Sequence, residues 1–314
     1  MRRRRRSAEV AAGLALAVIL AGCGLGPGES SEGNATITVT RDYGTSPVLE
    51  ASVEEPAETE TVLRLLDREA DIETRYGGGF VQSIEGVSGE VEAGRNFDWF
   101  FYVNGIESPI GSADRTVEAG DRVWWDHRDW TDAMRVPAVV GSWPEPLAQT
   151  SAGGDRLPVD LECAGAPEPC AMARKRLLEQ GIEPGHGGPE EGEALRVLVG
   201  AWSRLQDDPA AALLQDGPGE SGVFVRFERS GSITGLVALD VRAAPARRLG
   251  AGAGLVAAVR VGERPPTWIV TGVDKDGVAA AAAALSESVL RNRFAVIVAA
   301  RSDETLPVPV VEGP

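Results

Sequence analysis

Few residues in this chain are equipped for chemistry. There are two histidines, His127 and His186, 59 positions apart, and three cysteines, Cys23, Cys163 and Cys170. His127 sits in Asp126-His127-Arg128-Asp129-Trp130, where acid–base work would need a cleft and a partner, and a polar strand end explains the same residues. The two histidines do not form a helical zinc pair. No Gly-x-Ser-x-Gly elbow occurs, and no Lys follows a Gly, so a nucleophile elbow and a P-loop are both excluded. Gly250-Ala251-Gly252-Ala253-Gly254 lacks the dinucleotide spacing and reads as a flexible loop. Asp274-Lys275-Asp276-Gly277 fails as a calcium loop, because later ligand positions hold Val278 and Leu285. No spacing singles out a pair of carboxylates for glycoside hydrolysis. The expectation is therefore a chain that is not an enzyme and holds no metal and no cofactor.

The cysteines point to an export route. Arg2–Arg6 form a basic segment, Val10–Ala21 an apolar run too short to span a membrane comfortably, and small residues follow. Leu20-Ala21-Gly22-Cys23 resembles the bacterial lipobox. That resemblance implies a signal peptide over 1–22, diacylglycerol on Cys23, and a lipid-anchored protein on the extracytoplasmic face of the cell membrane. Residues 23–35, rich in Gly, Ser and Glu, read as a flexible tether. In an oxidising compartment Cys163 and Cys170 favour a local disulfide; a metal pair is the alternative, but two ligands do not make a zinc site.

With 314 residues, two domains of about 100–200 residues fit. The net charge of −16 opposes nucleic-acid binding. Of 17 aromatic residues, 12 lie between Tyr43 and Trp143, which separates an aromatic first half from an aliphatic second one.

In the first half, 36–143, Thr36–Thr40 and Val48–Val53 read as strands. Thr59 is placed to cap a helix whose stripe is Val62, Leu63, Leu65, Leu66 and Ala70. A glycine break follows at 76–79, then strands at 80–84, 96–103 and 123–125, with an Asn104-Gly105 turn. Strand, strand, helix, strands suits a β-grasp (ubiquitin-like) domain.

In the second half, 144–156 read as a linker and 157–300 as a mixed α/β sandwich domain, followed by a tail over 301–314. Strands are expected at 157–161, 195–199, 255–261, 268–272 and 294–298, with a hairpin from 223–227 and 235–241. Helices are expected at 171–180, at 209–214 capped by Asp208, and as one long run over 278–290. Residues 196–214 and 267–285 repeat a strand, glycine, polar loop, helix pattern. Gly200 and Gly272, before helix starts, are positions where an anion could bind.

The segments VTRDYG (39–44), TVLRLLDREADIETRYGGGFVQSIEG (61–86), DWFFYVNGIES (98–108) and VEAGDRVWWDHRDW (117–130) resemble a bacterial lipoprotein family. That family carries a domain of unknown function related to the C-terminal β domain of transcobalamin and intrinsic factor. The resemblance covers about a third of the chain. In those carriers this domain covers bound cobalamin with an apolar face. Carried to matching positions, it implies Tyr43, Trp99, Phe101, Trp124 and Trp125 as ligand-binding residues. Alternation puts Trp99 and Phe101 on one face, Phe100 and Tyr102 on the other; one set packs on the helix and the other could be exposed. The family association also implies an energy-coupling-factor transporter as partner. The expected function is binding of a small molecule, with cobalamin or a related vitamin as named candidate, in support of uptake. A non-enzymatic interaction or structural module of the envelope is the alternative.

Overall fold

The computed structural model describes residues 33–148, 157–185, 194–230, 233–302 and 304–311. It is mixed α and β, with strands predominating. Cys23, the expected linker from 149 on and His186 lie outside the described residues.

In the first half, β1 (Asn34–Arg41) and β2 (Ser46–Glu54) form a hairpin. Helix α1 (Val62–Glu69) buries Val62, Leu65 and Leu66, the predicted stripe. Its cap is Thr61, whose hydroxyl accepts from the Arg64 amide at 3.3 Å, and not Thr59. The reason is tertiary: the Glu60 carbonyl is taken by the Val117 amide and Thr61 bridges Thr116, which holds the chain extended up to Thr61. Then come β3 (Ile72–Arg75), β4 (Phe80–Ile84), β5 (Val87–Ser88), β6 (Glu90–Glu92), β7 (Arg95–Val103), β8 (Ile106–Glu107) and β9 (Arg122–Asp129). The main sheet runs β2-β1-β9-β7-β6, with β8 also on β7. First strand parallel to last, with a helix crossing between them, is the expected β-grasp arrangement. Asn104 and Gly105 make the β7–β8 turn at φ 55° and 76°.

The second half opens on β10 (Val159–Ala164) and α2 (Pro167–Glu179), which are joined by the disulfide Cys163–Cys170 across a Cα separation of 5.9 Å. After β11 (Leu195–Ala201) come three short helices, α3 (Trp202–Leu205), α4 (Pro209–Ala212) and α5 (Pro218–Ser221). Asp208 caps α4 as expected, accepting from the Ala210 amide at 2.9 Å. A separate three-stranded sheet follows, β12 (Val225–Ser230), β13 (Ile233–Leu239) and β14 (Pro245–Leu249). Strand β14 was not expected: its Pro and Arg residues carry no apolar alternation, because it is an exposed edge. The chain ends with β15 (Ala253–Val259), β16 (Thr267–Gly272), α6 (Lys275–Ala283), α7 (Glu287–Leu290), β17 (Ala295–Ala299) and β18 (Glu304–Val308). The second main sheet is β10-β11-β16-β15-β17-β18.

Four expectations change. The tail over 301–314 contributes β18, paired with β17. Residues 144–148, expected to start a linker, fold back so that Leu147 is buried beside Trp143 in the core. The helix over 278–290 breaks after Ala283, since Leu290 lies well off the Val278–Ala281–Ala282–Leu285 stripe and buries only after a turn. Gly254, expected in a loop, and Gly200 and Gly272, expected at anion sites, are packing positions. A Cβ on Gly272 would meet the Gly277 carbonyl carbon and the Val278 nitrogen at 2.6 Å, and one on Gly254 the Gly277 oxygen at 2.1 Å. Gly200 likewise faces Ala164 at 2.9 Å. The first turn of α6 is already served by Asp274, which accepts from the Gly277 and Gly252 amides at 2.9 Å each.

Candidate functional site

Alternation along β7 and β9 decides where the aromatic residues go. The odd positions Trp99, Val103, Val123 and Trp125 join Ile37, Val39 and the α1 stripe in one core, with Phe101 packed at its margin. The even positions Tyr102 and Trp124 join a second core, shared with Tyr43, Leu198, Phe224, Leu255 and Phe294. Phe294 is the hub of that core, edge-on to Tyr43 (5.0 Å between centroids), Trp124 (5.2 Å) and Tyr102 (5.7 Å). The second half of the chain therefore covers the face of β7 and β9 that does not pack on α1. Tyr43, Trp99, Trp124 and Trp125 are all buried, and of the five implied ligand-binding residues Phe101 alone is half-buried. They divide between two cores and do not form one binding face.

The same alternation separates the ionisable residues of the 126–129 motif. Asp126 and Arg128 point to the shared core, while His127 points the other way. Asp126 is fully buried and accepts from Thr40 Oγ1 at 2.5 Å and from the amides of Tyr43 (3.0 Å) and Gly44 (2.8 Å). Burial pushes its carboxyl up to about 7, against the pull of those donors. His127 lies between Phe97 and Trp99, with Nε2 3.1 Å from the Ser88 carbonyl, and burial lowers its pKa. Thus Asp126 cannot orient His127. Arg128, also fully buried, stacks 3.8 Å over Phe100 and donates to the carbonyls of Ala133 (2.7 Å) and Met134 (3.1 Å). It pins the 133–134 segment beside β7.

Two cavities flank β7, one on each side. The smaller, about 170 Å³, lies between the glycine loop and the sheet and is bordered by Gly79, Phe80, Trp99, Phe101, Ser112 and Trp125. The larger, about 380 Å³, is bordered by Asp98, Pro109, Trp130, Met134 and Arg135. Phe100, Glu107 and Ser108 border both. Burial raises the Asp98 carboxyl above its usual range, although it accepts from the Trp99 amide at 2.9 Å. Glu107 is held by Arg135 (3.4 Å) and by the Val136 amide (2.8 Å). A cavity of 170 Å³ accommodates one ring or one apolar side chain, and both are small or at the low end beside pockets of about 300–1,000 Å³ that enclose a whole ligand. Sequence reasoning missed Phe80, Asp98, Glu107, Ser108 and Met134. The signal was negative: β6 and β8 are too short to pair the middle of β7.

Among the described residues no cluster of three His, Cys, Asp or Glu is arranged to hold a metal, and no helix is long and apolar enough to cross a membrane.

Comparison with known proteins gives three findings. The model of a family described as a domain of unknown function (DUF4430) matches residues 59–128, the stretch containing α1 and β3 to β9. No curated protein matches the chain. Among solved structures, the crystal structure of a "putative metal binding protein" from Ruminococcus gnavus ATCC 29149 is similar at 17% identity, covering 31% of this chain and 98% of that one, with a TM-score of 0.25.

Proposed function

We propose that this chain is a non-enzymatic binding protein of the cell envelope, anchored by a lipid on Cys23 and binding through the outer side of β7. The observation that carries this reading is the pair of cavities on the two sides of that strand, both bordered by Phe100, Glu107 and Ser108. Aromatic carbon, carboxylates and open space coincide there. The separation of Asp126 from His127 supports a non-catalytic role. Burial of four of the five implied aromatics, together with shallow grooves, favours an interaction module over a carrier that encloses its ligand.

The vitamin reading has one specific observation behind it: the smaller cavity is bordered by Trp99, Phe101 and Trp125, three of the residues implied by the carrier resemblance. A ring-sized part of a vitamin would fit there, and cobalamin itself would lie against the edge rather than inside it. An energy-coupling-factor transporter would then be the receiving partner.

Calorimetry with cobalamin, cobinamide, haem, thiamine and biotin tests the vitamin reading. Micromolar binding that is lost in Phe80→Ala, at the cavity mouth, supports it. No heat from any of the five removes it for those compounds. Anchoring is tested separately: Cys23→Ser is expected to abolish labelling by radioactive palmitate and to release the protein from membranes, and unchanged labelling would overturn the anchor.

A further inference from the structure

Strand β7 is paired along the whole of Phe97–Val103 on its inner side, to β9. On its outer side, among the described residues, it is paired only at its ends: Arg95–Phe97 to β6, and Tyr102–Val103 to β8. The gap, Asp98–Phe101, spans about 13 Å at 3.3 Å per residue. It opens because Gly89 follows directly on β5, whose Val87 and Ser88 pair with β4 instead.

The backbone groups in the gap can be assigned. The Trp130 amide donates to the Asn96 carbonyl and the Asn104 amide to the Arg122 carbonyl, so even-numbered residues of β7 direct their backbone groups to β9 and odd-numbered ones direct theirs outward. The outward amide of Trp99 is taken by the Asp98 carboxylate, and the outward carbonyl of Phe101 accepts from the Ser108 amide at 3.4 Å. Among the described residues, what remains is the Trp99 carbonyl and the Phe101 amide. A parallel strand engages such an acceptor and donor with a single residue placed opposite Phe100. Residues before and after it would point alternately to the two sides of β7, where the two cavities lie.

The surroundings carry two further marks. Exposed large apolar side chains gather here: Phe80, Val91 (73% exposed), Ile110 and Met134 (66% exposed). The charge is acidic, since Glu90 and Asp98 have no ion-pair partner among the described residues and Glu107 is shared with one arginine. Two copies meeting at this edge would bring the same carboxylates together, so a second copy is disfavoured and a basic partner is favoured.

We propose that the open stretch of β7 is a strand-addition site for an extended segment of a partner protein in which apolar residues alternate with Lys or Arg. Backbone bonds to Trp99 and Phe101 hold the segment; its apolar residues, all on one side, enter the smaller cavity, and its basic residues, on the other side, meet Asp98 and Glu107 at the larger one. This rests on the reading that the β7 edge is the binding site, and it names the partner's chemistry.

The test uses the full chain in detergent micelles and three blocked heptapeptides. One alternates Arg with Val and Phe; the second is the same peptide N-methylated at alternate amides; the third carries Glu in place of Arg. The first is expected to bind with Kd below about 100 µM and to slow hydrogen exchange at the Phe101 amide. The N-methylated and acidic peptides are expected to bind at least about tenfold more weakly, and Asp98→Asn, which keeps an acceptor for the Trp99 amide, to weaken the first peptide comparably. Equal binding by the N-methylated peptide, equal binding by the acidic one, or an unprotected Phe101 amide overturns the proposal. A dimer that protects Phe101 without peptide shows that a second copy occupies the edge, and also overturns it. Should a vitamin bind through Phe80 while no peptide binds, the edge site stands and the strand-addition proposal falls. Should neither bind, both fall.

Discussion

The two main sheets solve the same problem with different side chains. The first places Trp, Tyr and Phe on both faces and buries each face against a different neighbour, α1 on one side and the second half of the chain on the other. The second uses Val, Ile, Ala and Gly, and brings α6 so close that Gly254, Gly272 and Gly277 touch backbone to backbone. The second sheet also carries the disulfide between β10 and α2. Its compactness leaves little room to vary. The first sheet leaves the middle of an inner-paired strand without an outer strand among the described residues. One sheet is the scaffold, and the other presents an edge.

The largest expected effect is at the seam between them. Phe294→Ala removes the ring shared by Tyr43, Tyr102 and Trp124 at 3% exposure, and is expected to cost about 3–5 kcal/mol in denaturant unfolding. A loss well under about 1 kcal/mol would mean that the first half does not depend on the second for its inner face.

Next is the close contact within the second sheet. Gly272→Ala puts a methyl 2.6 Å from the backbone of α6, and overpacking of that kind is expected to cost about 1–3 kcal/mol. Gly79→Ala, beside the β7 cavities, has a φ of −82° and nothing within 4 Å of the added carbon, and is expected to change stability by less than about 0.5 kcal/mol. Equal costs at the two positions would erase the distinction between scaffold and edge.

Much of this division is legible in the residues. The aromatic bias of 43–143, the Val62–Leu66 stripe, the Asn104-Gly105 turn and the Asp208-Pro209 helix start each follow from local physics, and each stands where expected. What was hidden is tertiary. Period two shows that Tyr102 and Trp124 share a face, but not that Phe294, some 170 residues later, covers it. The cap at Thr61 depends on a bond from Val117. Strand β18 and the exposed β14 show no alternation, since edges need none. The β7 gap is visible only once β6 and β8 are seen to stop short, so Phe80, Asp98, Glu107, Ser108 and Met134 had no positive signature.

A smaller effect concerns pH. The Asp126 carboxyl is raised to about 7 in the folded chain from an ordinary value of 3.8. The folded state therefore holds this proton more tightly, and stability falls as pH rises between those two values. His127 acts in the opposite sense: its lowered folded pKa makes stability fall as pH drops through about 6.5. Between pH 8 and 6.5 the gain on acidification belongs to Asp126, and below that His127 offsets it. Asp126→Asn is expected to flatten the rise in melting temperature from pH 8 to 6.5. An unchanged slope would place the titrating group elsewhere and loosen the account of how the β1–β2 turn is held.

The smallest effect separates stability from surface. Tyr76 is 87% exposed, lies at φ 54°, and has one ring neighbour, Phe80, at 6.2 Å. A left-handed tyrosine costs about 1–2 kcal/mol of local strain, which glycine does not incur, while glycine costs about 0.5–1 kcal/mol in chain entropy. Tyr76→Gly is thus expected to leave stability unchanged or to raise it by up to about 1 kcal/mol, a change read by denaturant unfolding. A protein selected only to fold would gain from glycine here, as at its neighbours Gly77 and Gly78. A tyrosine at this strained, exposed position beside Phe80 then points to contact with something outside the chain. A loss of more than about 1 kcal/mol would instead make Tyr76 part of the fold and remove this sign of an outside contact beside Phe80.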